Sequence, residues 1–370
     1  MKNKTRKFGW ICIVIFLLGV TPSCGSQSDK AAQTWPAPQE GDFVIHDFHF
    51  QSGETLPEVR LHYYTLGNPV KDANGRTTNA ILILHGTGGS GGSFFRPIFA
   101  GVLFGPGQLL DATKYFLILP DNIGHGKSSK PSDGMHAHFP QYEYADMVAL
   151  QHELVQNGLG VNHLRLILGT SMGCMHSWMW GETYADFMDA LMPLACQPVQ
   201  IAGRNRIWRK MVIDGIRQDP EWKNGEYTSQ PRAGLQIAAD FLLIAGSAPL
   251  HMQEDLPTRD EADKFLEASM KRITAGLDAN DFLYAVDSSR NYDPSLKLET
   301  IQVPVMINSA DDFINPPELG IAEREIKRVK YGKFVLLPAS EQTHGHGTHT
   351  WAAVWQSYLK ELLERSAKQN

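Results

Sequence analysis

Six short, continuous apolar runs constrain the fold of this chain more than any other feature of its sequence. They are AILILHG (80–86), YFLILPD (115–121), HLRLILG (163–169), ALMPLA (190–195), VPVMINSADD (303–312) and KFVLLPAS (333–340). Runs of this length are typical of buried parallel strands, and helical patterns lie between several of them. We therefore predict an α/β protein with a mostly parallel sheet and helices on both of its faces.

Two further segments, DFVIHDFHF (42–50) and EVRLHYYTL (58–66), alternate apolar and polar residues as half-buried strands do. Residues 41–196 and 291–367 are predicted to form the core. Between them, residues 197–290 contain no comparable strand run, and we expect a helical cap over the carboxyl ends of the strands, where chemistry is found in sheets of this kind.

One strand end carries the stretch LILGTSMGCMHSW (166–178), in which Ser171 lies between Gly169 and Gly173. Glycines in a G-x-S-x-G pattern permit a sharp turn from strand to helix that projects the serine as a nucleophile. The alternative is a helix whose first turn is capped by the Ser171 hydroxyl. Cys174 lies inside the following helix, where a nucleophilic role is not expected.

A nucleophilic serine needs a base and an orienting carboxylate, expected in the order serine, aspartate, histidine. The residues alone leave several candidates after the last two strands: Asp311 and Asp312 as the acid, and His344, His346 and His349 as the base. The three histidines also have ligand-like spacing for a metal, but no carboxylate or cysteine adjoins them. We expect neither a metal nor a cofactor.

The negative charge that develops on an attacked carbonyl oxygen needs hydrogen-bond donors. The backbone N–H of Met172 is one candidate, and that of Thr87, in the loop HGTGGSGG (85–92), is the other. A phosphate-binding loop is the competing interpretation, but the lysine of that motif is absent. His85 and His125 are expected to have structural roles.

The first 24 residues combine a basic start with an apolar run from Trp10 to Val20 and are predicted to be a signal peptide. Cys24 is a candidate for the lipidated first residue of a lipoprotein, and residues 25–40 are predicted to be a flexible tether. The expected location is the periplasm or cell envelope.

The net charge of -6 argues against a nucleic-acid partner. Cys174 and Cys196 are expected to be buried thiols, although their pairing stays open.

Aromatic and aliphatic residues are frequent in the predicted cap. Trp208, Trp222, Phe241, Leu242 and Leu243 are candidates for an apolar acyl pocket, or they pack the cap itself.

Several long motifs resemble the homoserine O-acetyltransferase-like group of α/β-hydrolase-fold proteins. They include GPGQLLDATKYF (105–116), DNIGHGKSSKPS (121–132), GTSMGCMHSWMW (169–180) and SADDFINPP (309–317). The resemblance implies an α/β-hydrolase fold with Ser171 as nucleophile, Asp312 as acid and His346 as base. It is the resemblance, rather than the spacing, that favours Asp312 over Asp311 and His346 over its neighbours.

Two departures from that group bear on activity. Cys174 replaces the glycine that follows S-M-G, and GLQIAA (234–239) places Ala239 where the group has an arginine suited to an amino-acid carboxylate. The loss of a buried cation of that kind removes about 2–5 kcal/mol of anchoring. We therefore expect an exported serine hydrolase that cleaves carboxylic esters. The alternatives are an acyltransferase that uses the same triad and a non-catalytic lipoprotein that binds a ligand.

Overall fold

The computed structural model describes residues 35–367, and all eight predicted strand runs form strands of one sheet. The strands are β1 (Gln39–His49), β2 (Thr55–Leu66), β3 (Ala80–Leu84), β4 (Phe116–Pro120), β5 (Leu166–Thr170), β6 (Leu191–Leu194), β7 (Val305–Ser309) and β8 (Lys333–Leu337). Their order across the sheet is β1-β2-β4-β3-β5-β6-β7-β8. β2 runs antiparallel to both of its neighbours, and the pairs from β4 to β8 are parallel.

The parallel strands end side by side, which brings distant parts of the sequence together. Leu84 pairs with Gly169, and Thr170 pairs with Leu194. The segments that follow β3, β5 and β6 therefore leave the sheet at one edge. The predicted site residues lie in these segments and in those that follow β7 and β8.

Neighbouring residues of the central strands point to opposite faces, and each face has its own core. Leu82 and Leu84 pack with helices on one face, whereas Ile81 and Ile83 pack on the other. A strand buried on both faces must be apolar at every position, which explains the continuous apolar runs in the sequence.

The α-helices of the described chain cover both faces and form the predicted cap. They are α1 (Ala100–Leu103), α2 (Tyr144–Glu153), α3 (Met172–Thr183), α4 (Gly203–Gln218), α5 (Arg232–Ala245), α6 (Pro249–Asp255), α7 (Arg259–Thr274), α8 (Ala279–Asp287), α9 (Ile321–Glu325) and α10 (Ala352–Ala367). Helices α4 to α8 are inserted between β6 and β7, within the range expected for the cap. Within residues 35–367 no single helix is both long and apolar enough to cross a membrane, and only α5 and α6 together, bent by 101°, meet that test.

The end of the predicted tether differs from the structure. β1 already begins at Gln39, and Trp35 packs against the core on the face that holds Ile81. The strand begins before the alternating apolar pattern that starts at Asp42. Gln39 and Glu40 already pair with β2 through the backbone, and such pairing does not depend on side-chain hydrophobicity. The predicted signal peptide and Cys24 lie outside the described residues.

Candidate active site

Ser171 occupies a sharp turn between β5 and α3. Its backbone has φ 54° and ψ -108°, a conformation that residues other than glycine rarely adopt. The Ser171 N–H donates to the carbonyl of Leu194 at 2.9 Å, and the Gly173 N–H donates to the carbonyl of His85 at 3.0 Å. Strand β6 and the end of β3 thus hold the turn, and strained backbone of this kind is concentrated at functional sites.

The two glycines of the motif are required by close packing. A Cβ at Gly169 would lie 1.9 Å from the carbonyl oxygen of Gly173, and a Cβ at Gly173 would lie 2.1 Å from that of Leu84. Both contacts are with backbone, so a side chain at either position would push α3 away from the sheet. The sequence interpretation gave these glycines conformational freedom in the turn, but Gly169 lies in β5, Gly173 lies in α3, and neither has a positive φ. The structure requires them for helix-to-strand contact instead.

Ser171, His346 and Asp312 form a continuous chain of hydrogen bonds. The Nε2 atom of His346 lies 2.8 Å from Ser171 Oγ, and its Nδ1 atom lies 3.0 Å and 3.1 Å from the two carboxylate oxygens of Asp312. An ionised carboxylate only accepts hydrogen bonds, so Nδ1 carries the proton and Nε2 is left to accept from the serine hydroxyl. This is the arrangement in which a histidine can act as a base toward serine.

Asp312 is held in its ionised form although its side chain is buried. Burial alone would raise its pKa. His346 opposes this through its charge and its hydrogen bond, and Asn315 and Ile314 donate further hydrogen bonds, so the pKa of this carboxyl lies below its usual value. The backbone N–H groups of Ile314 and Asn315 donate to Oδ1 at 2.9 Å and 3.2 Å. The turn after β7 therefore fixes the carboxylate in place.

Asp311 lies next to the triad and has a different set of partners. Its carboxylate accepts from Thr343 Oγ1 and from the Gly345 N–H, each at 3.1 Å, and from the Ser309 hydroxyl. It thus fastens the loop that carries His346 rather than contacting the imidazole. The choice between the two aspartates, which the sequence spacing left open, agrees with the resemblance.

The other two histidines of that loop point elsewhere. The ring of His344 stacks on Trp351 at 3.8 Å and on His251 at 4.6 Å, and His349 packs edge-on against His346. Within residues 35–367, no group of three or more histidine, cysteine, aspartate or glutamate side chains is placed to hold a metal ion.

Of the two predicted oxyanion donors, Met172 directly follows Ser171, and Thr87 lines the side pocket together with Ser171. A Cβ on Gly86 would lie 3.2 Å from the Cβ of Ser171, so the loop that contains Thr87 approaches the nucleophile closely. The N–H groups of Thr87 and Met172 donate to no acceptor in the described chain. His85 and His125 support this loop through hydrogen bonds to the carbonyls of Gly86 and Thr87, at 2.8 Å and 2.9 Å. Their structural roles were predicted.

The expectation of two buried thiols is wrong, because Cys174 and Cys196 form a disulfide. Their Cα atoms lie 5.9 Å apart, and 22 positions separate them in the sequence. Cys174 lies in the first turn of α3, and Cys196 lies two residues beyond the end of β6. Since β5 and β6 are neighbours, these two positions meet in space, which the sequence spacing did not reveal.

Ser171 opens onto two connected spaces beneath the cap. The main cavity has a volume of about 1150 Å³ and the side pocket about 80 Å³, and both are lined by Ser171, His346 and Arg209. The apolar lining of the main cavity includes Met175, Leu243, Met252, Leu256, Phe265 and Ile314. Such a lining is suited to a hydrocarbon chain.

The candidates for an apolar pocket divide between two environments. Trp208, Phe241 and Leu242 line the side pocket and Leu243 lines the main cavity. Trp222 instead donates through its indole N–H to Asn280 at 2.8 Å and packs within the cap. Four of the five candidates thus face the site.

The sequence analysis missed Arg209, a buried arginine in the wall of both spaces. A signal was present in the sequence, because Arg209 falls on the apolar stripe of α4 together with Trp208, Val212, Ile213 and Ile216. A charged residue on such a stripe has to be explained by a partner or by a ligand.

Comparison with known proteins agrees with this architecture. A family model described as "alpha/beta hydrolase fold" matches residues 79–370. A "Probable acyltransferase" of Methanothermobacter thermautotrophicus is 30% identical over 282 residues, which are 75% of this chain and 84% of that protein.

Two solved structures share the fold at lower identity. The homoserine O-acetyltransferase from Bacillus anthracis has a TM-score of 0.76 and 21% identity over 89% of this chain and 98% of that one. The acetyl esterase MekB has a TM-score of 0.74 and 23% identity over 88% and 97% of the two chains. Together with the length of the family match, the strand order and the turn at Ser171, these likenesses show that the chain belongs to the α/β-hydrolase fold family.

Proposed function

We propose that this protein is a serine hydrolase that cleaves carboxylic esters through an acyl-enzyme. The observation that carries the proposal is the hydrogen-bonded chain of Ser171, His346 and Asp312 at the floor of an apolar cavity. In an α/β-hydrolase such a chain activates a serine hydroxyl that is otherwise a weak nucleophile.

In the proposed mechanism, Ser171 Oγ attacks the ester carbonyl carbon while His346 Nε2 takes the hydroxyl proton. The carbonyl oxygen becomes negatively charged and accepts hydrogen bonds from the N–H groups of Met172 and Thr87. The tetrahedral species expels the alcohol, which takes the proton from His346. Water then attacks the acyl-enzyme, with His346 again as base, and releases the carboxylic acid and free Ser171.

The test is a comparison of the wild type with Ser171→Ala on para-nitrophenyl esters and with a fluorophosphonate probe. We expect kcat to fall at least about 10⁴-fold and labelling to vanish, because the nucleophile is absent. Ser177→Ala is the matched control, since the Ser177 hydroxyl is buried in the same helix and donates to the Gly173 carbonyl. A wild type that neither turns over esters nor reacts with the probe would contradict the proposal.

Transfer of the acyl group to an alcohol or amine is the second candidate function, and the name of the acyltransferase relative favours it. Two features favour water as acceptor. Ala239, at the position of the acetyltransferase arginine, is buried and packs against Leu243, Met270 and Ile273 rather than facing the cavity. The disulfide also supports an oxidising compartment, where acetyl-CoA is scarce. Product analysis with an acyl donor and candidate acceptors distinguishes the two functions.

We also propose that the chain is exported to the periplasm or cell envelope. The basic and apolar N-terminal segment and the Cys174–Cys196 disulfide support this location. Mass spectrometry of the N-terminal peptide of the protein recovered from cell fractions tests both export and the lipidation of Cys24. An intact N-terminus in the cytoplasmic fraction alone would contradict the proposal.

A further inference from the structure

Arg209 is a buried cation beside the nucleophile. It lies in α4, its residue is only 2% exposed, and its side chain forms part of the wall of both the main cavity and the side pocket. Ser171 and His346 line the same two spaces. A group bound against Arg209 would therefore share a cavity with the reacting atoms.

All the partners of the Arg209 guanidinium are neutral. Its Nε donates to Asn205 Oδ1 at 3.0 Å, its Nη1 donates to Ser289 Oγ at 3.1 Å, and it lies over the Trp208 ring at 4.6 Å. The Tyr144 hydroxyl is a third neutral partner of this side chain. A guanidinium carries five N–H donors, so these three partners leave at least two donors available. No carboxylate of the described chain forms an ion pair with it.

The charges around Arg209 do not compensate for this burial. Burial lowers the pKa of the guanidinium, and the nearby Arg206 lowers it further, while the Tyr144 hydroxyl acts in the opposite direction. An arginine nevertheless stays protonated in proteins. Burying a cation without a counter-charge is unfavourable, so an anion bound in the cavity would be stabilised by a charge that no carboxylate of the described chain neutralises.

The other charged residues that line the main cavity are either exposed or already have partners. Glu318 is exposed. Arg204 is exposed, donates to the carbonyl of Phe313 at 2.7 Å and lies over the Phe313 ring. Asp311 and Asp312 accept the hydrogen bonds described above. Among the described charged residues that line this cavity, Arg209 thus combines deep burial with a donor that is still available.

We propose that Arg209 binds a carboxylate of the substrate, so that the preferred substrates are esters that carry a free carboxylate in addition to the scissile bond. The inference rests on the proposed ester hydrolysis and names its substrate class. The planar fork of a guanidinium matches a carboxylate, and the remaining N–H groups of Arg209 supply donors for it. The apolar remainder of the cavity would hold the hydrocarbon part of such a molecule.

The kinetic test compares charged and neutral esters of equal size. Para-nitrophenyl hexanoate and mono-para-nitrophenyl adipate differ only in a terminal methyl or carboxylate on the acyl side. Ethyl acetate and acetoxyacetate place the same difference on the alcohol side. We expect the wild type to favour the charged member of at least one pair in kcat/KM, and Arg209→Met to lower that charged-to-neutral ratio roughly 30- to 1,000-fold.

Two further variants separate recognition from folding. Arg209→Lys keeps the positive charge and should restore part of the ratio, which a purely structural role would not predict. Arg217→Met removes an exposed arginine from the same helix and should leave the ratio unchanged. Equal loss of activity toward both members of each pair in Arg209→Met, or no preference in the wild type, would overturn the inference.

A binding measurement makes the inference independent of turnover. Adipate is titrated calorimetrically into Ser171→Ala and into the double variant Ser171→Ala/Arg209→Met. We expect the affinity for adipate to fall at least tenfold in the double variant. Hydrolysis of neutral esters without any effect of Arg209 would reject only the anion site. Adipate binding that depends on Arg209, in a protein without esterase activity, would reject only the hydrolase.

Discussion

At the scale of single residues, the backbone of Ser171 is strained. A non-glycine residue in such a conformation costs about 1–3 kcal/mol, and it persists only where its surroundings fix it. Hydrogen bonds to Leu194 and His85 and the close contact at Gly173 supply that fixation. The strain projects the hydroxyl toward His346, so the local cost and the proposed reactivity have the same origin.

Replacing Asp312 by asparagine tests the orienting carboxylate. An amide can turn its NH₂ group toward His346 Nδ1, which would stabilise the tautomer that carries its proton on Nε2. That nitrogen then cannot accept the Ser171 proton. We expect kcat for ester hydrolysis to fall about 10⁴-fold while the protein stays folded, measured by steady-state kinetics and circular dichroism.

Asp311→Asn is the matched control for that variant. An asparagine at 311 keeps one carbonyl oxygen for Thr343 and Gly345, and it does not touch the imidazole. We expect a loss of no more than about tenfold, through a looser His346 loop. Equal losses in the two variants would show that the acid has been assigned to the wrong aspartate.

The sequence identified the three residues of the hydrogen-bonded chain better than the residues that surround them. Ser171 was recognised because its glycines have a steric purpose that leaves a pattern. Asp312 and His346 needed the family resemblance, because neighbouring aspartates and histidines offered the same spacing. Arg209 was missed because its significance depends on the absence of a carboxylate around it, which only three-dimensional contacts reveal.

At the scale of elements, the disulfide joins the helix that follows Ser171 to the segment after the neighbouring strand β6. Cys174 lies in the first turn of α3 and Cys196 just beyond β6. Ala195, between Cys196 and the strand, has a positive φ of 66°, and its carbonyl accepts from Asn315. The crosslink thus restrains a junction on which the Ser171 turn depends.

Removing this crosslink should destabilise the protein. The disulfide closes a loop with a sequence separation of 22, which lowers the conformational entropy of the unfolded chain. We therefore expect the free energy of unfolding to fall by about 3 kcal/mol in the double variant Cys174→Ala/Cys196→Ala. Urea denaturation followed by tryptophan fluorescence measures the change. A reductant should lower the stability of the wild type and leave the variant unaffected. Alkylation of Cys174 and Cys196 in the unfolded, unreduced wild type, detected by peptide mass spectrometry, would contradict the crosslink.

The strands of the sheet were predictable and their arrangement was not. Both faces of β3 are covered, so neighbouring residues such as Ile81 and Leu82 are both apolar. This continuous apolar pattern can be recognised within the sequence of one strand. The order β4-β3-β5 depends on which runs pair across the sheet, a non-local choice that leaves little trace within each run. The same limitation left the Cys174–Cys196 pairing open.

At the scale of the whole molecule, core and cap meet at the reactive centre. Gly345, beside the triad histidine, has φ +58°, and a Cβ there would lie 2.2 Å from the carbonyl of Ser247 in the cap. The core supplies the triad, while the cap supplies Arg209 and most of the apolar wall. The proposed reaction thus depends on the core, and the proposed selectivity depends on the cap.

Global stability should depend on pH through His85, which is completely buried at the start of the loop that contains Thr87. Its Nδ1–H donates to the Gly86 carbonyl at 2.8 Å, and its Nε2 accepts from the Asn122 N–H at 3.1 Å. Protonation of Nε2 would place its N–H opposite the Asn122 N–H, so the hydrogen bond between them would be lost. Burial lowers the pKa of His85 to about 4, although the hydrogen bond to Gly86 acts in the opposite direction.

Because the unfolded chain binds this proton below about pH 6.5 and the folded protein only near pH 4, acid should weaken the fold across that interval. We expect His85 to contribute a loss of about 3 kcal/mol as the pH falls from 6.5 to 4, at about 1.4 kcal/mol per pH unit. His85→Gln keeps an acceptor for Asn122 but cannot titrate, so its free energy of unfolding should fall less steeply with acid than that of the wild type. Urea denaturation at several pH values measures both slopes.

His138→Gln, which removes a histidine whose side chain is 83% exposed, is the control and should follow the wild type. Parallel curves for His85→Gln and the wild type would mean that His85 is not the buried neutral group that its contacts indicate.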